Sequence, residues 1–435
     1  MPRTALCLLL LLAPVLRADD ALPWHPSQPG YHDATVALAE YCLEHKLHSE
    51  ALLLLNGVSA ERATEIARAA TGQPDEYTAE SWGGYLDRLE VVQRRRAQAA
   101  LEAGTPAADV LSICPDFGPA LERAGFKELK GMGWLKSAEH ERLAPLAVAL
   151  QDAPAKQDRE ATWQQPWVII TQHFCLVTDL PWSRARKYAE YLDRFHAVYF
   201  ETVGDVVPGR EHPNVVWCCK DSSTFVEFTK SIGFAMTADN GGLHVGYTGA
   251  VYVNAERCDF VGRKNKSWDN LARTLFHECA HRLTEIGLRG RRGGNDAWGL
   301  AYTKEHAWIV EAIAILFEDL QLQAKGYKLK GLEQQRLWTI KDWKAKDGRI
   351  PSLGPIFKQG QVDFAQGTPI SSTEKYALCG SVAWYCLFEK KEHRKAFLTL
   401  LVDYYRTDTR RFDFEKRFSK SLPDFEAEWK AWVAR

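Results

Sequence analysis

At 435 residues, with 46% hydrophobic and 26% charged side chains, the chain is long enough for two or three domains and too apolar to be disordered. Its 55 basic and 56 acidic residues leave a net charge of -1, so no global field exists to attract nucleic acid or an anionic membrane surface. The local run Arg94-Arg95-Arg96 reads as a solvated helix face.

The chain opens with MPRTALCLLLLLAPVLRADD. Arg3 supplies a positive start, and residues 5–15 form an apolar core well short of the about 20 residues a bilayer span needs. Residues 1–18 are therefore expected to be a secretory signal peptide cleaved after Ala18, and the protein to be exported to the periplasm, the cell surface or the medium. An uncleaved anchor is the alternative; no later segment is expected to cross a membrane. Ten cysteines occur, nine of them after Cys7, and no CxxC pair appears, so neither a cysteine zinc ribbon nor a thioredoxin-type site is indicated. Export would permit disulfides, but several cysteines are expected as small buried apolar side chains.

Residues 19–151 read as an all-helical region. ATVALAEYCLEHKLHSEALLLL and WGGYLDRLEVVQRRRAQAALEA carry apolar residues at three- and four-residue spacing. The region has a faint likeness to tetratricopeptide helical pairs, without a clean period; a plain helical domain is the equal alternative. Residues 152–166 are polar and proline-bearing and read as a linker. An α/β lobe is expected over 167–260. WVIITQHFCLVT reads as a strand, and the segment after Pro181 as a helix ending at Gly204. NVVWCCK reads as a strand, Asp221 as a helix cap, and GAVYVNAE as a further strand. Residues 261–435 read as a helical lobe, so the predicted fold class is α+β.

LARTLFHECAHRLTEIG carries the chemistry. His277, Glu278 and His281 form HExxH, on a helix expected to start at a Ser267 cap and stop at Gly287. Four residues apart, the two histidines share one helix face and can hold one ion. Glu278 can reach a water on that ion. Without one, these groups would sit among Leu275, Phe276, Cys279, Ala280 and Leu283, which disfavour unpaired charge.

A catalytic zinc takes three protein ligands and one open position. A third histidine at 287 is excluded, because Gly287 stands there. Glu285 is eight residues from His277, about 12 Å of helical rise, and cannot close the set. Glu311, within EHAWIVEAIAILFEDL, is the best source: it is the single carboxylate between Ala307 and Phe317, a very apolar run, and hence expected to be buried. The alternative is that Glu311 pairs with an arginine such as Arg282. Glu305 and His306, nearer the preceding loop, are further candidates.

The HECAH helix followed by WIVEAIA resembles the gluzincin zinc metalloproteases, with Ala312 where the family often has glycine. Within them, residues 165–435 are most similar to an uncharacterised family of exported bacterial gluzincin-like domains, on LVTDLP, YALCGSVAWYCL and FSKSLPDFEAEWKAWV. The resemblance implies a zincin-like catalytic domain over 167–435, a small mixed sheet lobe plus a helical lobe. It implies one zinc ion held by His277, His281 and Glu311, with Glu278 as general base. It also implies an oxyanion-stabilising Tyr376, with His306 as the rival and a core aromatic as the plain alternative for Tyr376. Residues 241–256, GGLHVGYTGAVYVNAE, would supply an edge strand that lines up an extended peptide. The basic loop with Arg289, Arg291 and Arg292 would form a rim, or merely a solvated loop. The expected activity is hydrolysis of a peptide or protein substrate. The alternatives are a non-catalytic exported scaffold that recruits a protein partner through the N-terminal helices, and a zinc hydrolase of a non-protein amide.

Overall fold

Among the described residues six helices come first: α1 (Tyr31–Glu44), α2 (His48–Leu54), α3 (Glu61–Ala70), α4 (Ala79–Glu102), α5 (Ala107–Ile113) and α6 (Gly118–Arg123). The computed structural model describes residues 31–264, 269–289, 305–329, 339–340, 350–405 and 412–434, apart from 57, 59, 158, 247, 361–362 and 365–369. The leader-like residues 1–18 lie outside this set. The apolar stretch 34–55 breaks between α1 and α2 where Lys46 turns left-handed, at φ 57. A reciprocal Thr78–Ser81 capping box starts α4. Arg94, from the basic run, is tied to Glu90 and Asp116.

The expectation that 19–151 is wholly helical is not met. A hairpin, β1 (Phe126–Leu129) with β2 (Gly133–Lys136), precedes α7 (Ser137–Leu143), and β3 (Ala147–Ala149) follows. Gly131 and Gly133, at φ 82 and 85, supply the left-handed turn residues. Strands of three or four residues are too short to show a period of two against flanking helices.

β3 belongs to the main sheet, whose order is β3-β4-β5-β6-β8-β7. The other strands are β4 (Trp167–Ile170), β5 (Cys175–Thr178), β6 (Val215–Cys219), β7 (Gly242–Val245) and β8 (Ala250–Asn254). The segment read as one strand over 167–178 is therefore an antiparallel pair, turned at Thr171–Phe174. β5, β6 and β8 run parallel, and β7 closes the edge antiparallel to β8. Residues 152–166, read as a linker, connect β3 to β4, which pair parallel.

Alternation of side chains puts Ile169, Leu176, Val216 and Val251 into one core and Val168, Val177, Trp217 and Tyr252 into another. The first core contains α8 (Trp182–Val203), which starts after Pro181 and ends at Gly204, and the first four helices. α9 (Ser222–Ser231), capped by the Asp221 carboxylate, covers the second. Trp82 of α4 is fully buried, and its indole N–H donates to Leu288 O at 2.8 Å. The chain is thus a mixed α+β fold with a small mixed sheet.

Helix α10 (Ala255–Lys264) leads into α11 (Asn270–Arg289), which carries HExxH. The expected cap Ser267 lies outside the described residues; Asp269 accepts the Ala272 N–H at 3.1 Å. Gly287 does not end α11. A Cβ there would lie 2.5 Å from Val207 Cγ1 and 2.9 Å from Pro208 O, so this glycine serves close packing. Further α-helices among the described residues are α12 (Trp308–Leu316), α13 (Gly354–Phe357), α14 (Ser372–Trp384), α15 (Lys391–Tyr405), α16 (Phe414–Phe418) and α17 (Leu422–Val433). A short ladder of β9 (Gln321–Leu322) and β10 (Tyr327–Lys328) interrupts the expected helical lobe. The nine described cysteines are buried and none forms a disulfide. Among the described residues, no helix is long and apolar enough to cross a membrane.

Candidate metal centre

The site stands on two helices for different reasons. On α11 an apolar stripe packs against the sheet and leaves His277 and His281 on one face. α12 is apolar all round and therefore buried except at the half-buried Val310, with Trp308 stacked on Phe357 at 3.8 Å. Its single carboxylate, Glu311, is 2% exposed.

Packing of α11 against α12 brings the three side chains together. His277 Nε2 lies 3.1 Å from His281 Nε2. Glu311 Oε2 lies 3.3 Å from the first nitrogen and 3.5 Å from the second. A small divalent cation held tetrahedrally, with bonds of about 2.0–2.1 Å, spaces its ligands about 3.3–3.4 Å apart. The donor triangle has that size, so the His277, His281 and Glu311 group could hold a metal ion. Burial opposes charge on Glu311, but the His281 and His277 rings outweigh it and hold the carboxyl well below its usual range. Burial likewise opposes charge on His277, yet its bonds to Glu311 and Glu318 push it up to about 10. A cation entering the triangle displaces that proton.

Arg282, the alternative partner for Glu311, donates to Asn214 Oδ1 and Pro213 O at 3.2 Å. Glu285 approaches His244 at 3.3 Å and Arg289 at 3.2 Å, away from the donor triangle as its helical position requires. Arg291 and Arg292 lie outside the described residues.

Glu278 faces the sheet edge. It accepts the backbone N–H of His244 on β7. Burial raises its pKa above the usual glutamate value, with Glu311 adding to the rise and the two histidines opposing it. Gly242 makes this contact possible. A Cβ at 242 would lie 2.7 Å from Thr274 Cγ2, 2.8 Å from Glu278 Cγ and 3.0 Å from its Oε1. β7 is the edge strand expected from residues 241–256.

A cavity of about 670 Å³ opens beside His277 and Glu278. Tyr376, on the first turn of α14, lines it, with its ring 6.2 Å from that of His277. A Ser371–Glu374 capping box fixes that turn. His306 is not among the lining residues; it stacks on Phe412 at 4.0 Å. Glu305 projects outward, its side chain 69% exposed.

A carboxylate cluster behind the site was not anticipated. His277 Nδ1 lies 3.0 Å from Glu318 Oε1, just past α12. Arg273, one turn before His277, reaches Glu318 at 2.8 Å and Asp319 at 3.1 Å. The signal was the acidic pair in LFEDL after a long apolar run, together with an arginine four residues before a histidine. Glu318 fixes the ring so that Nε2 faces the triangle. Glu318→Gln is expected to weaken metal binding about 10- to 100-fold, read by competition with a chromophoric chelator. Unchanged affinity would show that the contact does not orient the ring.

Comparison with protein-family models finds no match to this chain. A search of curated proteins finds none either.

Proposed function

We propose that the chain is an exported zinc-dependent peptidase of gluzincin type, with His277, His281 and Glu311 as ligands. The observation that carries this reading is one donor triangle of zinc dimensions with a half-buried carboxylate, Glu278, beside it on the wall of an open cavity. A zincin-like catalytic domain fits the antiparallel edge strand β7 lying along the HExxH helix. Export rests on the leader-like residues 1–18.

When bound, zinc supplies Lewis acidity, lowering the pKa of water to about 7 and polarising a carbonyl. Glu278 takes the proton of the attacking water and delivers it to the leaving amine. The His244 N–H holds the carboxylate in place. Tyr376, on the cavity wall, is the candidate donor to the developing oxyanion. β7 offers its open edge to an extended peptide.

The test is hydrolysis of a mixed peptide set by zinc-loaded protein, lost on chelation and restored by zinc. Absence of hydrolysis in the zinc-loaded protein would overturn the reading. Gly242→Ala bears on the geometry of the base. The added methyl forces the Glu278 side chain to shift, and kcat is expected to fall about 10- to 100-fold with zinc content unchanged. Parallel kinetics and metal analysis read both quantities.

A further inference from the structure

The cavity beside Glu278 has the wrong chemistry for an aliphatic side chain. Among its described lining residues Val261 is the sole aliphatic one beyond glycine, and hydroxyl, amide and charged groups make up most of the wall. Two donor atoms on that wall meet no acceptor among the described residues. Asn270 is 9% exposed; its Oδ1 accepts from Arg273 at 3.3 Å, but its Nδ2 meets no acceptor. A buried amide N–H of this kind calls for a ligand acceptor. Arg257 directs Nε to Asp239 O at 3.1 Å and Nη1 to the Asp239 carboxylate at 3.3 Å. That carboxylate side chain is 85% exposed, so solvent weakens its hold on the guanidinium. Arg257 Nη2 is engaged by no described residue, and the guanidinium is steadied 5.6 Å from the Phe260 ring centroid.

The wall also carries the Asp239 and Glu278 carboxylates, the second facing the His277 and His281 rings. Arg273 serves Glu318 and Asp319, and Glu318 also holds His277. An incoming carboxylate therefore meets one weakly held cation and one open amide donor.

We propose that this cavity is a specificity pocket for an acidic substrate side chain, glutamate or aspartate, next to the scissile bond, with Arg257 and Asn270 as its determinants. The proposal rests on the peptidase reading. Arg257 supplies the charge, and Asn270 supplies a neutral hydrogen bond deeper in the wall.

The test uses the full zinc-loaded chain and peptides that differ only in one residue, Glu, Gln, Leu or Lys, placed on either side of the cleaved bond. The Glu peptide is expected to show a kcat/KM about tenfold above that of the Leu peptide, with Lys poorest. Arg257→Glu is expected to invert the order and favour Lys. Binding of the same labelled peptides to Glu278→Gln, followed by fluorescence anisotropy, is expected to rank them in the parent's order without any turnover. Equal values for all peptides, or an order that survives Arg257→Glu, overturns the pocket assignment and leaves the peptidase reading standing. Neither hydrolysis nor binding of any peptide overturns both.

Discussion

Replacing Glu278 by glutamine is expected to lower kcat about a thousandfold while leaving metal affinity nearly unchanged. The substitution keeps the shape and can still accept the His244 N–H, but it cannot take a proton. General-base assistance contributes about 10²- to 10⁴-fold, which sets the scale. Glu278 is not part of the donor triangle, so zinc content should survive. Stability should move the other way. Burial raises the folded pKa of Glu278, so ionising it disfavours the folded state as pH rises above the ordinary glutamate value near 4.5. Glutamine has nothing to ionise. The metal-stripped variant is therefore expected to melt at or above the parent's temperature at pH 7, and the two should converge near pH 4. A variant with full turnover would remove Glu278 from the chemistry.

Glu311→Ala is expected to have the largest effect on the metal. It deletes one of three ligands and leaves His277 and His281 facing a cavity, so affinity should drop by more than about 100-fold. Without metal, removing one member of a buried charged group costs about 3–5 kcal/mol, measurable by chemical denaturation. The pH dependence gives a sharper signature. The His277 pKa is raised to about 10, so its stabilisation is full below its ordinary value of 6.5 and is lost as pH rises through 10. Glu311 is shifted down, so its stabilisation is present above 4.5 and is lost on acidification. In the metal-free variant the decline between pH 6.5 and 10 should flatten, because His277 has lost the Glu311 carboxylate. Zinc bound as tightly as in the parent would show that Glu311 is not a ligand.

Much of the donor set was legible because each member leaves a local mark. Two histidines four residues apart must share a helix face, and a carboxylate between Trp308 and Phe317 has nowhere to go but inward. What stayed hidden depends on contacts distant in sequence. Glu318 gains its role from a turn after α12 that meets Arg273, 45 residues away. Gly242 carries no mark in the sequence beyond being a glycine, whereas its meaning is the closeness of β7 to Glu278. Gly287 reads as a helix stop because glycine often is one, and packing against Pro208 overrides that preference. β3 is three residues long, too short to declare itself, yet it joins residues before 152 to the main sheet. The Ser267 cap and two of the three loop arginines lie outside the described residues.

The Trp82–Leu288 hydrogen bond also bears on how such a chain could have been assembled in evolution. The first helices fasten the far end of the HExxH helix and share its interior. A gene shuffled to encode residues 167–435 alone would inherit an oily scar and a stranded carbonyl at Leu288. The two halves should therefore have travelled as one heritable unit, gained or lost together.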